Sequence, residues 1–108
     1  MIIVETSVFT RQIIELLDDD SYADFQQQIR LNPELGDLIP KTGGLRKVRW
    51  KAEGRGKRGG IRVIYYWYAE DGLAYMLLAY AKNQQEDLTE KQKRTLKQLV
   101  ELGLKDGR

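Results

Sequence analysis

The stretch IRVIYYWYAEDGLAYMLLAY, residues 61–80, contains two strand-like runs joined by a turn signal. β-Branched and aromatic residues dominate the first run, residues 61–68, as they do in β-strands. The second run, residues 73–80, is almost wholly apolar, which is typical of a strand covered on both sides. Asp71-Gly72 between the runs favours a tight hairpin turn. The stretch therefore predicts an antiparallel strand pair with a buried second strand.

A third strand is predicted upstream, over residues 45–51, before a polar, glycine-rich loop at residues 52–59. Alternation of side chains gives this strand two faces, one with Arg46, Val48 and Trp50, the other with Leu45, Lys47, Arg49 and Lys51. In the next strand, the same alternation places Arg62 on a face with Ile64, Tyr66 and Tyr68. Arg62 can therefore join Lys47 and Arg49 across neighbouring strands.

The first 44 residues predict a short strand and two helices. Residues 2–4 fit an opening strand, and Thr6 or Ser7 can cap a first helix that runs to about residue 17. Three aspartates at residues 18–20 break that helix, and Ser21 can cap a second helix. Asn32-Pro33 ends it, because the residue before a proline disfavours helical backbone, and residues 33–44 are expected to be irregular.

The last element is a lysine-rich helix that begins at Thr89, where T-E-K-Q fits a capping box ending at Gln92. The predicted order of elements is β-α-α-β-β-β-α. This order indicates a single α+β domain over residues 1–108, with a mainly antiparallel sheet.

Positive charge is concentrated in one segment of a nearly neutral chain. Residues 41–62, KTGGLRKVRWKAEGRGKRGGIR, carry nine bases and one acid, whereas residues 1–40 carry eight acids and two bases. The whole chain has a net charge of +2. A local basic surface of this kind favours a defined anionic partner. The alternative is a solvated hairpin whose lysines protect an exposed strand edge from aggregation.

The composition excludes several kinds of catalytic and metal site and bears on where the protein is found. The chain has neither cysteine nor histidine, which excludes thiol nucleophiles, the usual zinc sites and imidazole acid–base catalysis. We expect no metal and no cofactor. The first residues lack the pattern of a secretory signal, and no apolar run approaches the ~20 residues that span a bilayer. The lack of cysteine permits a reducing cytoplasm without proving one, and we expect a cytoplasmic protein that does not contact membranes.

The basic strand face suits a nucleic acid whose bases are exposed. A positive sheet surface edged by tyrosines fits a phosphodiester backbone with unstacked bases, and Tyr80 lies at a strand end where a base can reach it. The same pattern separates RNA from duplex DNA only weakly, and packing in the core is the usual fate of a strand tyrosine.

Three segments resemble the RelE/HigB family of bacterial toxins: GGLRKVRW, GKRGGIRVIYYW, and LLAYAKN followed by DLT. NPELGDLIPKTGGLRK resembles the HigB-like branch of that family. The resemblance implies a small RelE/ParE-like (microbial RNase-like) fold with helices packed on one face of the sheet. It implies a bacterial toxin that enters the ribosomal A site, cleaves messenger RNA and inhibits translation. It also implies a cognate antitoxin, with operator DNA bound only through the toxin–antitoxin complex.

The resemblance and the chemistry of RNA cleavage together nominate five catalytic residues: Lys47, Arg49, Arg62, Tyr80 and Lys82. Attack of the ribose 2′-hydroxyl on the adjacent phosphate needs a base, cations for the charged phosphorane, and an acid. Neighbouring cations disfavour the protonated form of a lysine, so Lys47 is the candidate base. Arg49 and Arg62 would hold the phosphate, Lys82 would donate a proton or position the phosphate, and Tyr80 would stack on a base.

Four further cations are expected to bind the RNA backbone: Arg46, Lys51, Lys57 and Arg58. Such contacts add affinity without sequence preference and make binding depend on salt. Two other functions stay open from the sequence. One is a ParE-like inhibitor of DNA gyrase without RNase activity, and the other is a non-catalytic module that binds RNA or the ribosome.

Overall fold

The computed structural model of the chain describes residues 1–51 and 60–105. Its elements in chain order are β1 (Ile2–Glu5), α1 (Ser7–Leu16), α2 (Asp19–Leu31), β2 (Asp37–Leu38), β3 (Leu45–Trp50), β4 (Ile61–Tyr68), a 3₁₀ turn (Ala69–Asp71), β5 (Leu73–Ala81) and α3 (Glu90–Lys105). The predicted α+β class is confirmed. Within the described ranges, no helix combines the length and the apolar character needed to cross a membrane.

The five strands form one sheet in the order β1-β5-β4-β3-β2. β1 runs parallel to β5, and the other neighbours are antiparallel, so the mainly antiparallel sheet is confirmed. The predicted pairing of β4 with β5 is also confirmed, and Gly72 ends the connecting turn in the left-handed conformation, at φ 60°. A register shift beside Tyr65 leaves Leu77 as an extra residue in β5.

Residues 37–38 form a short edge strand in a segment that the sequence predicted to be irregular. Asp37 is opposite Lys47 in the register with β3, and Ile39 N donates to the carbonyl of Leu45 at 2.8 Å. Arg46 also donates to the carbonyl of Gly36 at 2.7 Å. These contacts between neighbouring segments, which strand periodicity does not reveal, extend the order of elements to β-α-α-β-β-β-β-α.

Side-chain caps define where the helices begin. Thr6 caps α1 as predicted, because its Oγ1 accepts from Phe9 N at 3.0 Å. The prediction that Ser21 caps α2 is wrong: Asp18 is the cap, and its Oδ1 accepts from Ser21 N at 2.8 Å. The aspartates start this helix because carboxylates are favourable at its positive end.

The predicted capping box of α3 is confirmed. Thr89 N donates to Gln92 Oε1, and Gln92 N donates to Thr89 Oγ1, both at 3.0 Å. These two bonds satisfy backbone and side-chain groups at the first turn of the helix. They also fix the end of the segment that leads from β5 into α3.

Helices cover both faces of the sheet, so the expectation that all of them lie on one face is wrong. Phe9 and Phe25 of the first two helices belong to a core cluster on one side of β3–β5. Leu96 and Val100 of α3 belong to a second cluster with Ile64 on the opposite side, called here the α3 face. The physical reason is that β5 is apolar on both of its sides, and each side requires cover.

Candidate functional site

Three polar residues lie side by side across three neighbouring strands on the α3 face. Arg49 of β3 is opposite Arg62 of β4, and Arg62 is opposite Tyr80 of β5. Directly opposed residues project from the same face of an antiparallel sheet. We call this set the arginine–tyrosine row. Lys47 lies two positions before Arg49 on β3 and so shares that face, as the alternation predicted.

Arg62 is a buried cation at the centre of the arginine–tyrosine row. Its side chain is only 4% exposed, its Nη1 donates to the carbonyl of Ile61 at 3.3 Å, and its Nη2 lies 4.0 Å from Glu86 Oε1. Arg49, by contrast, is exposed. The row therefore combines one cation whose position is fixed by packing with one that can adapt to a ligand.

Lys47 is held by a carboxylate that sequence reasoning missed. Its Nζ donates to Asp87 Oδ1 at 2.6 Å, and the hydrogen bond and charge of Lys47 hold the pKa of the Asp87 carboxyl below its usual value. The ammonium group of Lys47 is therefore engaged by a carboxylate beside an open cleft. The signal that could have indicated it was the acidic pair Glu86-Asp87 soon after the strand that ends beside the basic residues.

An open cleft of about 340 Å³ adjoins this ion pair. Its polar and charged lining residues are Asp37, Lys47, Arg49, Asp87 and Lys93. Its apolar lining residues are Leu38, Ile39, Pro40 and Leu88. Three cations in one concave surface make it suited to an anionic ligand.

Tyr80 contributes a buried hydroxyl rather than an exposed ring. The residue is 4% exposed and belongs to the core cluster beneath α3. Within residues 1–51 and 60–105, its hydroxyl has no hydrogen-bond partner. Burial raises the pKa of Tyr80, with a further raising contribution from Asp87 that Arg62 opposes. The hydroxyl is protonated at neutral pH, as an ordinary tyrosine is, and the buried ring has little surface for stacking.

The remaining nominated residues lie outside the arginine–tyrosine row. Lys82 is exposed one residue beyond β5, and its backbone N–H donates to the carbonyl of Gly60 at 3.2 Å. Lys51 follows the end of β3 and lines an open depression that also contains Asp18 and Asp24 of the α2 side. Because β3 ends before Lys51, the alternation of side chains does not extend to it, and Lys51 does not share the predicted face with Lys47 and Arg49.

Arg46 projects from the face opposite to that of Lys47. It is bound to the loop before β2, where its Nη2 lies 3.2 Å from Glu34 Oε2 and its Nη1 donates to the carbonyl of Gly36. These contacts give Arg46 a role in holding the loop. Lys57 and Arg58 lie outside the described residues. In the part of the chain that the structure describes, no group of three or more acidic side chains is arranged to hold a metal ion.

Comparison with known proteins gives a family and a fold. The model of the family described as "RelE toxin of RelE / RelB toxin-antitoxin system" matches residues 23–105. A free-state arginine double mutant of E. coli toxin RelE is similar at TM-score 0.57 and 9% identity, covering 79% of this chain and 86% of that chain. A chain of the intact E. coli RelBE toxin–antitoxin complex is similar at TM-score 0.56 and 11% identity, covering 74% and 94% respectively. At these identities the structural likeness shows the fold alone.

Proposed function

The chain belongs to the RelE toxin family, and we propose that it is the toxin of a toxin–antitoxin pair that cleaves messenger RNA in the ribosomal A site. The observation that carries this proposal is the arginine–tyrosine row with Lys47 beside it. Two arginines, a lysine and a tyrosine hydroxyl share one face of the sheet, and Lys47 and Arg49 of this set line an open cleft. A gyrase inhibitor has no need for such a cluster. The HigB-like branch indicated by the sequence stays a prediction.

The proposed reaction is attack of the ribose 2′-hydroxyl on the adjacent phosphate, which leaves a cyclic phosphate and a free 5′-hydroxyl. Arg62 and Arg49 bind the non-bridging oxygens and stabilise the charge that develops on the phosphorane. The guanidinium of Arg62 is suited to two parallel hydrogen bonds with a phosphate. The Tyr80 hydroxyl, which is protonated at neutral pH as in an ordinary tyrosine, would donate a further hydrogen bond to the phosphate. No metal and no cofactor enter this scheme.

RNA binding outside the cleavage site is proposed for the cations near the end of β3. Lys51 is exposed and stands where the chain enters the segment that carries Lys57 and Arg58. These residues would contact phosphates of the message or of ribosomal RNA, with an affinity that falls as salt rises. Arg46 is left out of this proposal because it is held by Glu34 and Gly36 on the other face. The role of Lys82 as a proton donor or phosphate ligand stays a prediction.

A cognate antitoxin is the proposed protein partner. Support comes from the family match and from the likeness to a chain of the E. coli RelBE toxin–antitoxin complex. An acidic or apolar segment of the antitoxin that covers the arginine–tyrosine row would block access of RNA. Operator DNA would then be bound by the complex and not by the free toxin. The proposed place of action is the bacterial cytoplasm, where translating ribosomes are found.

The test is a cell-free translation reaction in which the ends of a reporter message are mapped with and without the protein. The test compares two variants. Arg62→Ala changes the arginine–tyrosine row, and Arg11→Ala, which removes an exposed arginine of α1, is the matched control. Cuts that require ribosomes and disappear only with Arg62→Ala support the proposal. Intact message with stalled ribosomes would indicate a non-catalytic binder. Intact message, together with inhibition of supercoiling by purified gyrase, would indicate the ParE-like function.

A further inference from the structure

The segment between β5 and α3 holds Asp87 at a fixed place beside the cleft. Gln85 Nε2 donates to the carbonyl oxygen of Asp87 at 2.9 Å and to Gln92 Oε1 of α3 at 3.0 Å. Leu88, the next residue, is buried in the cluster beneath α3. The backbone at Asp87 is therefore anchored on both sides, which differs from the free movement expected of a surface loop.

Asp87 is also the group that contacts Lys47. The Nζ of Lys47 donates to Asp87 in a 2.6 Å ion pair, whereas a base requires a free amine with an available lone pair. Carboxylates are the other proton acceptors available in this chain, since it has no histidine. Two carboxylates line the cleft, those of Asp37 and Asp87, and the contact with the nominated catalytic lysine is made by Asp87.

We propose that Asp87 is a catalytic residue whose carboxylate accepts the proton of the ribose 2′-hydroxyl, while Lys47 remains a cation that binds the scissile phosphate. This inference rests on the proposed function, because it names the base of the same reaction. An incoming phosphate competes for Lys47 and weakens the ion pair. Because Lys47 holds the pKa of Asp87 down in the free protein, its engagement by phosphate makes the carboxylate a stronger base when substrate is present.

The step balances without an added reactant. The proton of the 2′-hydroxyl moves to a carboxylate oxygen of Asp87, and the 2′-oxygen forms a bond to phosphorus. The bond from phosphorus to the 5′-oxygen breaks, and that oxygen takes a proton from water. Asp87 then loses its proton to solvent, which its exposed position permits. The products are a 2′,3′-cyclic phosphate and a 5′-hydroxyl.

Charged and titratable groups from several elements face Asp87 and affect the ionisation of its carboxyl group. They are Lys47 and Arg49 of β3, Lys93 of α3, Asp37 of β2, the adjacent Glu86, and Tyr80 of β5. The three cations favour the ionised carboxylate. Asp87 is therefore already ionised throughout the neutral range, so the cleavage rate should change little between about pH 6 and pH 8.

The experiment measures the single-turnover rate of message cleavage on purified programmed ribosomes at several pH values. Asp87→Asn keeps an oxygen that Lys47 can donate to but cannot accept the proton. We expect its rate to fall by about 100-fold or more, with ribosome binding changed by less than ~3-fold. Its residual rate should rise about tenfold per pH unit, because hydroxide replaces the missing base. Asp87→Glu should retain a rate well above that of Asp87→Asn. Asp19→Asn on α2, an exposed carboxylate far along the chain from the cleft, should match the wild type.

Four outcomes would contradict the proposal. An Asp87→Asn rate within ~3-fold of the wild type would assign the base to another group. A wild-type rate that rises about tenfold per pH unit through the neutral range would do the same, because a lysine or tyrosine would then be losing its proton. Equal losses of ribosome binding and of cleavage in Asp87→Asn would show a positioning role only. A wild-type protein that does not cleave message on ribosomes would overturn the proposed function, and the assignment of Asp87 with it.

Discussion

Arg49 and Arg62 lie directly opposite one another on β3 and β4, on the face of the sheet that α3 covers. Like charges in this arrangement destabilise the pairing of two strands, and a buried guanidinium adds a cost of desolvation. Glu86 near Arg62 offsets part of this cost. The buried guanidinium of Arg62 and the exposed guanidinium of Arg49 together offer a phosphodiester anion two neighbouring positive charges. The arrangement supports the proposed binding of an anion at this row.

Replacement of Arg62 by Ala should lower message cleavage by about 100- to 1,000-fold, because it removes a cation that stabilises charge in the transition state. Arg62→Lys keeps the positive charge but lacks the planar guanidinium that makes two parallel hydrogen bonds, so its cleavage rate should lie between those of Arg62→Ala and the wild type. Arg11→Ala on α1 serves as the matched control. Thermal unfolding of each variant separates lost catalysis from lost folding. A folded Arg62→Ala protein that cleaves at the wild-type rate would show that the site has been misassigned.

Removal of the hydroxyl should affect the free energy of unfolding differently at two buried tyrosines. The Tyr65 hydroxyl accepts from Gly36 N at 2.9 Å and donates to the carbonyl of Pro33 at 2.8 Å, so Tyr65→Phe should destabilise the fold by about 1–3 kcal/mol. The Tyr80 hydroxyl has no such partner among the described residues, so Tyr80→Phe should leave the free energy of unfolding unchanged or raise it by about 1 kcal/mol. Urea unfolding measures both.

The same Tyr80→Phe protein should cleave message more slowly, by about tenfold, because one hydrogen bond to the phosphate is lost. Greater stability with lower activity is the combination that indicates a hydroxyl kept for a ligand. If Tyr80→Phe loses stability as Tyr65→Phe does and keeps full activity, the hydroxyl has a structural partner instead.

The faces of the strands could be predicted from the sequence, but the carboxylates beside them could not. Alternation along β3 and β4 correctly placed Lys47, Arg49 and Arg62 on one face, since side-chain direction in a strand is a local property. The contact between Lys47 and Asp87 joins residues 40 positions apart, and its existence depends on how the segment before α3 folds back. Local periodicity carries no information of that kind.

The face of the sheet that each helix covers also could not be predicted from local sequence. The apolar stripes of α2 and α3 each predict a buried face, but neither stripe specifies which side of the sheet it covers. Within the described chain, the two clusters that contain Phe25 and Leu96 lie on opposite sides. The misassigned cap of α2 has a simpler cause, because Asp18 and Ser21 are both good capping residues and the aspartate lies first.

Gly60 should tolerate substitution less well than Gly72. Both have positive φ, 69° and 60° respectively, a conformation that costs about 1–2 kcal/mol for an L-residue. A Cβ at Gly60 would lie 2.4 Å from the carbonyl oxygen of Trp50, whereas a Cβ at Gly72 would have no neighbour within 4 Å among the described residues. Gly60→Ala should therefore lower the free energy of unfolding by more than Gly72→Ala, as measured by urea unfolding. Equal losses at the two positions would contradict the close approach.

Stability should fall in alkaline solution because of Tyr22. Burial, followed by its hydrogen bond to Glu5, raises the pKa of Tyr22 far above the ordinary value near 10. Above about pH 10 the unfolded chain loses this proton while the folded protein retains it, so the unfolded state is favoured as pH rises. The contribution of Tyr22 is fully present below that pH. Urea unfolding at about pH 8 and pH 10.5 should show a drop in midpoint that is smaller in Tyr22→Phe. An equal drop in the two proteins would place the titration elsewhere.

The most direct test of the central claim is the chemistry of the ends made from ribosome-bound message. Purified ribosomes carrying a defined message are mixed with the wild type or with Arg62→Ala, and the fragments are analysed for 2′,3′-cyclic phosphate and 5′-hydroxyl ends. We expect both kinds of end with the wild type, at A-site positions, and at least about 100-fold fewer of them with Arg62→Ala. Message that stays intact with the wild-type protein, or fragments that carry 5′-phosphate ends, would contradict the claim.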